Sequence, residues 1–376
     1  MASSHFIPFR RPKNNNMPRL RARGRGARTN ETGRYERETR ETSNEDLDAL
    51  PIDDIAPRKT TVIIENPRKI INKVNSPYVG FDRSINPYRG CEHGCIYCFA
   101  RPTHAYHGLS PGLDFETRLF AKPNAAVLLE KELCNPRYRV KPMMIGTNTD
   151  AYQPIEKDYQ LMRSILTVLS DFNHPVSILT KSNLILRDTD ILSPMAEKNL
   201  MRAMISITTQ DRGLARAMEP RCPTPKNRFE AIARLADRGI RTGIMLGPMI
   251  PGLNDSELES IMEKAASLGA SYSAYTILRL PLEVSPLFQE WLDVFVPNRA
   301  KRIMKHIRIM NGGRDYDPEW SRGGEIKTPF AALIAQRYRK AQTRFGLLPR
   351  SSNPSLDCSQ FRVPSKITRQ GDLFSG

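Results

Sequence analysis

From about residue 59 onward, short apolar runs alternate with stretches whose apolar positions recur every three or four residues. The runs predict β-strands at 117–121, 143–146, 176–180, 202–208, 243–249 and 272–278, with TVIIE at 61–65 as an earlier one. The periodic stretches between them predict helices near 123–133, 157–171, 188–198, 226–238 and 255–268. In the last of these, Leu258, Ile261, Met262, Ala265 and Leu268 share one face, and Gly269 marks the stop. Asn254 with Glu257 three residues on predicts a capping box at its start. Phe229, Ile232 and Leu235 stripe the 226–238 helix, which Gly239 ends.

Repeated β–α units on short links predict an α/β protein with a parallel sheet covered by helices. Right-handed crossovers would curl that sheet into a full or partial TIM-type (β/α) barrel, with its site at the C-terminal ends of the strands. Two more helices follow, at 297–310 and 329–345, the second opened by a Thr328 cap and Pro329. Ile303, Met304, Ile307 and Met310 line one side of the first. The lysines and arginines of both helices fit either a solvated face or a nucleic-acid-facing one. The expected organisation is a basic, disordered N-terminal tail at 1–58, a partial barrel at 59–296, a C-terminal helical extension at 297–350 and a flexible tail at 351–376.

The N-terminal tail changes the picture through its charge. Residues 1–41 hold 11 Arg or Lys against 4 Glu, with few apolar positions, too few to offset the chain entropy of folding. The whole chain carries a formal charge of +17, which favours polyanionic partners, nucleic acid first among them. No apolar run approaches the roughly 20 residues that span a membrane, and the first residues lack the apolar core of a secretory signal. The cytoplasm is therefore the expected compartment, where thiols stay reduced. On that view the six cysteines are metal ligands, catalytic thiols or buried apolar groups rather than disulfides.

Three of the six stand in one loop, RGCEHGCIYCFARP, at Cys91, Cys95 and Cys98. A structural zinc site would need a fourth ligand, from His93, His104, His107 or a remote cysteine, and lacks a second Cys-x2-Cys knuckle. A redox Cys-x2-Cys pair leaves Cys91 without a role. Three thiolates on one loop also suit a [4Fe–4S] cluster with one iron left open for a substrate or cofactor.

The Cys-x3-Cys-x2-Cys spacing, with Tyr97 just before the last cysteine, resembles the signature of the radical SAM superfamily. Further stretches resemble the branch related to spore photoproduct lyase: NPYRGCEHGCIYCFARPTH (86–104), SILTKS (177–182), SITTQD (206–211), EPRCPTPKNRFEAI (219–232) and PMIPGLND (248–255). The resemblance runs from about residue 60 to about 347. It implies that Cys91, Cys95 and Cys98 hold the cluster and that S-adenosylmethionine chelates the open iron. Reduction of the cluster by an external electron donor would then cleave this cofactor to methionine and a 5′-deoxyadenosyl radical. Tyr97 would lie near the adenine. Thr149, Asp150, Lys181 and Ser206, at or in strand ends, would hold the rest of the molecule, the lysine through the methionyl carboxylate.

One departure bears on the substrate. Spore photoproduct lyase places a hydrogen-donating cysteine after the third strand, and here that stretch reads Gly146-Thr147-Asn148-Thr149-Asp150. Cys134 and Cys222 are read as buried or incidental thiols. The cluster chemistry carries over on this reading, and the photoproduct does not. Near the C-terminus, Gln370, Leu373 and Phe374 in QGDLF resemble a peptide that docks on the bacterial sliding clamp. Three functions follow as expectations: a radical SAM enzyme acting on nucleic acid in repair or modification, one acting on a protein or small molecule, and a non-enzymatic metal-cluster module.

Overall fold

The computed structural model describes residues 24–36, 59–75, 80–318, 328–349, 352 and 354–365. Its main sheet runs β11-β10-β9-β8-β7-β6-β3-β2, with β2 (Ile71–Lys73), β3 (Arg83–Ile85), β6 (Met143–Ile145), β7 (Val176–Thr180), β8 (Met201–Ile207), β9 (Thr242–Met249), β10 (Tyr272–Ile277) and β11 (Leu348–Pro349). From β3 to β11 every neighbouring pair is parallel, and β2 lies antiparallel at the far edge. Sequential parallel neighbours joined by helices, with two open edges, are the architecture of a partial (β/α) barrel.

The central strands β7, β8 and β9 are buried almost throughout on both faces, as the helix-covered strands of such a sheet must be. β9 and β10 approach closely because Gly243 has no side chain. A Cβ there would meet the Tyr272 ring at 2.5 Å. Tyr272 instead lies across Gly243 and donates its hydroxyl to the Ala203 carbonyl of β8 at 2.6 Å. One core packs the strands against the helices Ala125–Leu133, Leu161–Asp171, Thr189–Glu197, Pro225–Asp237 and Leu258–Ser267. A second core joins the cysteine loop to the helices Arg212–Met218, Val284–Phe295 and Pro297–Met310 around Trp291, whose indole donates to Ala217 O at 2.9 Å.

Several expectations need correcting. The 118–121 strand (β5, Arg118–Ala121) is not a barrel strand. It pairs with β1 (Thr61–Ile64) and β4 (Tyr88–Arg89) in a small separate sheet, while the first barrel strand, β3, is three residues long and too short to show a pattern. The 157–171 helix is broken at Gln160, which is left-handed (φ 50) and separates Glu156–Tyr159 from Leu161–Asp171. The capping box at Asn254 does not form. Asn254 turns inward, accepting from Ile250 N and donating to Thr208 O and Pro248 O, and Glu257 accepts from Thr209 and Gln210 beyond β8. The Thr328 cap does form, through Ala331 N.

No structural seam marks residue 297. Ile303, Met304 and Ile307 share a core with Phe288 and Trp291, and the helix Pro329–Phe345 packs on Leu258–Ser267 before β11 extends the sheet. Part of the C-terminal tail is also packed: Phe361 lies among Tyr138, Phe172 and His174, and Arg362 N donates to Phe172 O. Gln370, Leu373 and Phe374 lie outside the described residues. No helix among the described residues is long and apolar enough to cross a membrane.

The N-terminal tail departs furthest from expectation. Arg25, Gly26, Ala27 and Arg28 are buried against the cysteine loop. Apolar content underestimated this segment because its burial rests on ion pairs and backbone amides, which hydropathy does not count.

Candidate active site

The cysteine loop starts at β4 and crosses the end of the barrel. Cys91 and Cys95 are buried, Cys98 partly so. Cys91 and Cys98 border one apolar cluster with Ala100 and Phe115, while Cys95 and Cys98 border the Trp291 core. Backbone bonds fix the loop at several points: Cys91 N to Phe115 O, Ile96 N to Met218 O, and Arg221 N to His93 O. Burial and the neighbouring Cys95 and Cys91 sulfurs push the Cys98 thiol up to about 12.

Beneath the loop lies a fully buried ion pair. Arg101 donates Nε to Cys95 O at 3.0 Å, Nη1 to Pro111 O and Gly112 O, and Nη2 to Glu116 Oε1 at 2.5 Å. Glu116 in turn accepts from Gly26 N and Ala27 N, each at 2.8 Å. Arg25 donates to Glu116 O and to Thr60, and its guanidinium stands 3.9 Å from Glu92, which also accepts from Arg221 at 2.8 Å. Residues 24–30 therefore form a strap across the outside of the loop. Isolated buried charges would be costly, and these are paired and hydrogen-bonded throughout.

On the inner side the strand ends meet the loop. Asp150, after β6, accepts from Tyr152 N (2.9 Å), Thr180 Oγ1 (2.6 Å) and Lys181 N (2.7 Å). Its Oδ2 lies 3.4 Å from His93 Nδ1, an ion-pair distance without hydrogen-bond geometry. Burial alone would raise the Asp150 carboxyl, but the nearby His93 imidazolium, with the hydrogen bonds from Lys181 N and Thr180, outweighs it and holds the acid at about 2. Thr149 Oγ1 donates to Gly90 O at 2.7 Å and accepts from Gln153. Thr149 thus holds the loop at Gly90, while Asp150 is held by the ends of β6 and β7 and faces His93 of the loop.

Lys181, just after β7, and Ser206, in the neighbouring β8, come together. Lys181 Nζ lies 2.8 Å from Ser206 Oγ, 3.3 Å from Glu219 Oε1, and 3.4 Å from Thr208 Oγ1 and Gly247 O. Its ammonium stands 5.6 Å from the centre of the Tyr97 ring. Tyr97 is buried, with its hydroxyl between Thr208 Oγ1 at 3.0 Å and Glu219. Burial works to raise the Glu219 carboxyl, yet Arg228 and Lys181 together hold it well below the usual carboxylate range. Burial lowers the Lys181 ammonium and Glu219 raises it, with a net rise, so lysine and carboxylate are both charged.

Sequence reasoning missed Glu219 and Arg228 as site residues, although both lie in EPRCPTPKNR, a stretch singled out for its resemblance. It missed Arg101, Glu116 and the strap altogether. It also set aside Cys222, whose sulfur lies 3.9 Å from that of Cys95. Cys134 follows the helix Ala125–Leu133, exposed and away from the loop.

Among the described residues no three His, Cys, Asp or Glu side chains converge as they would around one metal ion. A cluster holds each thiolate on a separate iron and so spreads its ligands, which suits three cysteines distributed along one buried loop.

The chain has counterparts in both sequence and fold. The family model of the Radical SAM superfamily matches residues 85–265, from β3 through the helix Leu258–Ser267. An uncharacterized protein of Mycobacterium tuberculosis is 36% identical over 244 residues, 64% of this chain and 72% of that protein. One from Methanocaldococcus jannaschii is 32% identical over 199 residues, 53% of this chain and 71% of the relative. Among solved structures, spore photoproduct lyase complexed with dinucleoside spore photoproduct superposes with a TM-score of 0.54 at 15% identity, over 77% of this chain and 81% of that one. At that identity the likeness is one of fold.

A partial barrel with a three-cysteine loop at its strand ends defines a radical SAM protein. The chain belongs to the radical SAM superfamily, whose members use a [4Fe–4S] cluster and S-adenosylmethionine.

Proposed function

We propose that this chain is a radical SAM enzyme that acts on nucleic acid, in repair or modification, with Cys91, Cys95 and Cys98 holding its cluster. The observation that carries the chemistry is the buried cysteine loop set against the Lys181–Glu219–Arg228 network. When bound, the cluster and S-adenosylmethionine supply a 5′-deoxyadenosyl radical that takes a hydrogen atom from the substrate. The chain's own residues bind, orient and exclude water. Lys181 is the partner proposed for the methionyl carboxylate, exchanging its long contacts with Thr208 and Gly247 for a charge-assisted bond. Ser206 and Glu219 hold the ammonium in place, and the Tyr97 ring lies beside it.

Two observations support nucleic acid as the substrate class: the charge of +17 and the shared fold with a lyase solved on a dinucleoside photoproduct. The absence of cysteine from Gly146–Asp150 speaks against the photoproduct itself. Turnover in an aqueous compartment requires an external electron donor to reduce the cluster, and the cytoplasm is the compartment proposed.

The test offers perdeuterated DNA and RNA, intact or ultraviolet-irradiated, to the reduced, reconstituted enzyme. Deuterium appearing in 5′-deoxyadenosine with one of these polymers is the expected result. Deuterium-free 5′-deoxyadenosine, formed at one rate whether or not any of them is present, overturns the reading.

A further inference from the structure

Most large apolar side chains among the described residues are buried, yet three aromatic rings in or beside the cysteine loop are not. Tyr35 is 56% exposed, Tyr106 68% and Phe99 48%. Single exposed apolar residues need no explanation, whereas adjoining ones mark interaction sites. Tyr35 and Tyr106 stack with ring centres 5.4 Å apart and planes 23° from parallel. The Arg34 guanidinium lies over both, at 5.4 and 5.9 Å. Its position is fixed from two loops: Nε donates to Glu283 at 2.6 Å, beyond β10, and Nη2 donates to Pro102 O, in the cysteine loop.

The same two loops form a second unit of this kind. Phe99 follows the cluster cysteine Cys98 directly, and Arg279, beyond β10, places its guanidinium 5.2 Å from the Phe99 ring centre. Three separate parts of the chain thus bring aromatic faces and guanidinium planes together on the cysteine loop and the loop after β10.

We propose that Arg34, Tyr35, Phe99, Tyr106 and Arg279 form a stacking surface for unpaired bases of a nucleic-acid strand, beside the entrance to the cluster. The inference rests on the nucleic-acid reading above and adds the surface and the strand state. Aromatic rings and guanidinium planes stack on base faces without regard to sequence, and a charge of +17 draws in the phosphates. Base faces are hidden within a duplex. The surface therefore selects single-stranded or locally opened nucleic acid, which is also the state that exposes a base or sugar to chemistry.

The test uses the full chain with its cluster and a short single-stranded oligonucleotide carrying 2-aminopurine. Tyr35→Ala with Tyr106→Ala changes two exposed side chains, and iron content checks that the loop is undisturbed. We expect wild-type binding to quench the probe and the double variant to bind at least ~10-fold more weakly, with quenching lost. The slope of affinity against salt stays the same, because no charge has changed. Tyr35→Phe with Tyr106→Phe restores binding. Wild type that binds no oligonucleotide overturns both this surface and the nucleic-acid reading. Wild type and the alanine variant binding alike overturn the surface alone, as does a phenylalanine variant no better than alanine.

Discussion

Gly26 of the N-terminal strap and Gly94 of the cysteine loop meet backbone to backbone. A Cβ on Gly26 would stand 1.7 Å from the Gly94 carbonyl oxygen, and Gly94 itself is left-handed (φ 68) with Glu116 against it. The contact joins two segments 68 positions apart in sequence and lets the strap amides reach Glu116. The strap is therefore packed into the cysteine loop and not merely laid over it.

Gly26→Val should force strap and loop apart. Overpacking of this kind costs about 1–3 kcal/mol. We expect a lower thermal midpoint and less iron retained after anaerobic reconstitution. A variant with wild-type iron and midpoint would show that the strap plays no part in holding the loop.

Arg101→Met leaves Glu116 buried without its guanidinium partner, and breaking such a pair costs about 3–5 kcal/mol. Denaturant unfolding of the single variants and of Arg101→Met with Glu116→Met tests this. The double variant is expected to be more stable than the two single losses added together. Additive losses would mean that the two side chains do not act as a pair.

Lys181→Ala should weaken S-adenosylmethionine binding by ~10–100-fold, the worth of a charge-assisted hydrogen bond, while iron content stays at the wild-type level. Equilibrium binding to the oxidised, cluster-loaded protein reads this directly. Unchanged affinity would remove Lys181 from the cofactor site.

Acid should loosen the fold at His174. Burial pushes this imidazole down to about 4, with the Arg83 cation adding to the effect. Its neutral form is satisfied at both ends, Nδ1–H donating to Pro175 O at 3.0 Å and Nε2 accepting from the Tyr138 hydroxyl at 2.7 Å. A folded-state value below the ordinary 6.5 means that the unfolded chain takes up the proton first. Stability from this site is full above pH 6.5 and is lost as pH falls toward 4. His174→Phe should flatten the dependence of the thermal midpoint over that interval. An equally steep fall in the variant would place the acid sensitivity elsewhere, with His104, also held down to about 4 by burial, as the next group to change.

Much of the architecture was legible because β7, β8, β9 and β10 are long enough to show an apolar run, and β7 falls at 176–180 as expected. The helix Val284–Phe295 was missed although Val284, Leu287, Phe288, Trp291 and Leu292 follow the helical period. Its Pro286 reads as a breaker, yet it stands in the first turn, where backbone N–H groups have no partner to lose. Asn254 and Glu257 spelled a capping box, but tertiary partners at the end of β8 outcompeted the local bonds. In the candidate site, spacing and resemblance singled out the cysteines, Lys181 and Ser206, and the fold brings the last two within 2.8 Å of each other. The strap was not legible, because two glycines and a few arginines acquire meaning only once Glu116 and Glu92, far away in sequence, are placed beside them.

The most direct test of the central assignment is anaerobic reconstitution of the full chain with iron and sulfide, followed by reduction and addition of S-adenosylmethionine. About four irons per chain, a [4Fe–4S] spectrum and formation of 5′-deoxyadenosine are expected, with Cys95→Ala losing all three. Zinc in place of iron with S-adenosylmethionine left intact, or a Cys95→Ala variant that keeps its iron, would contradict it.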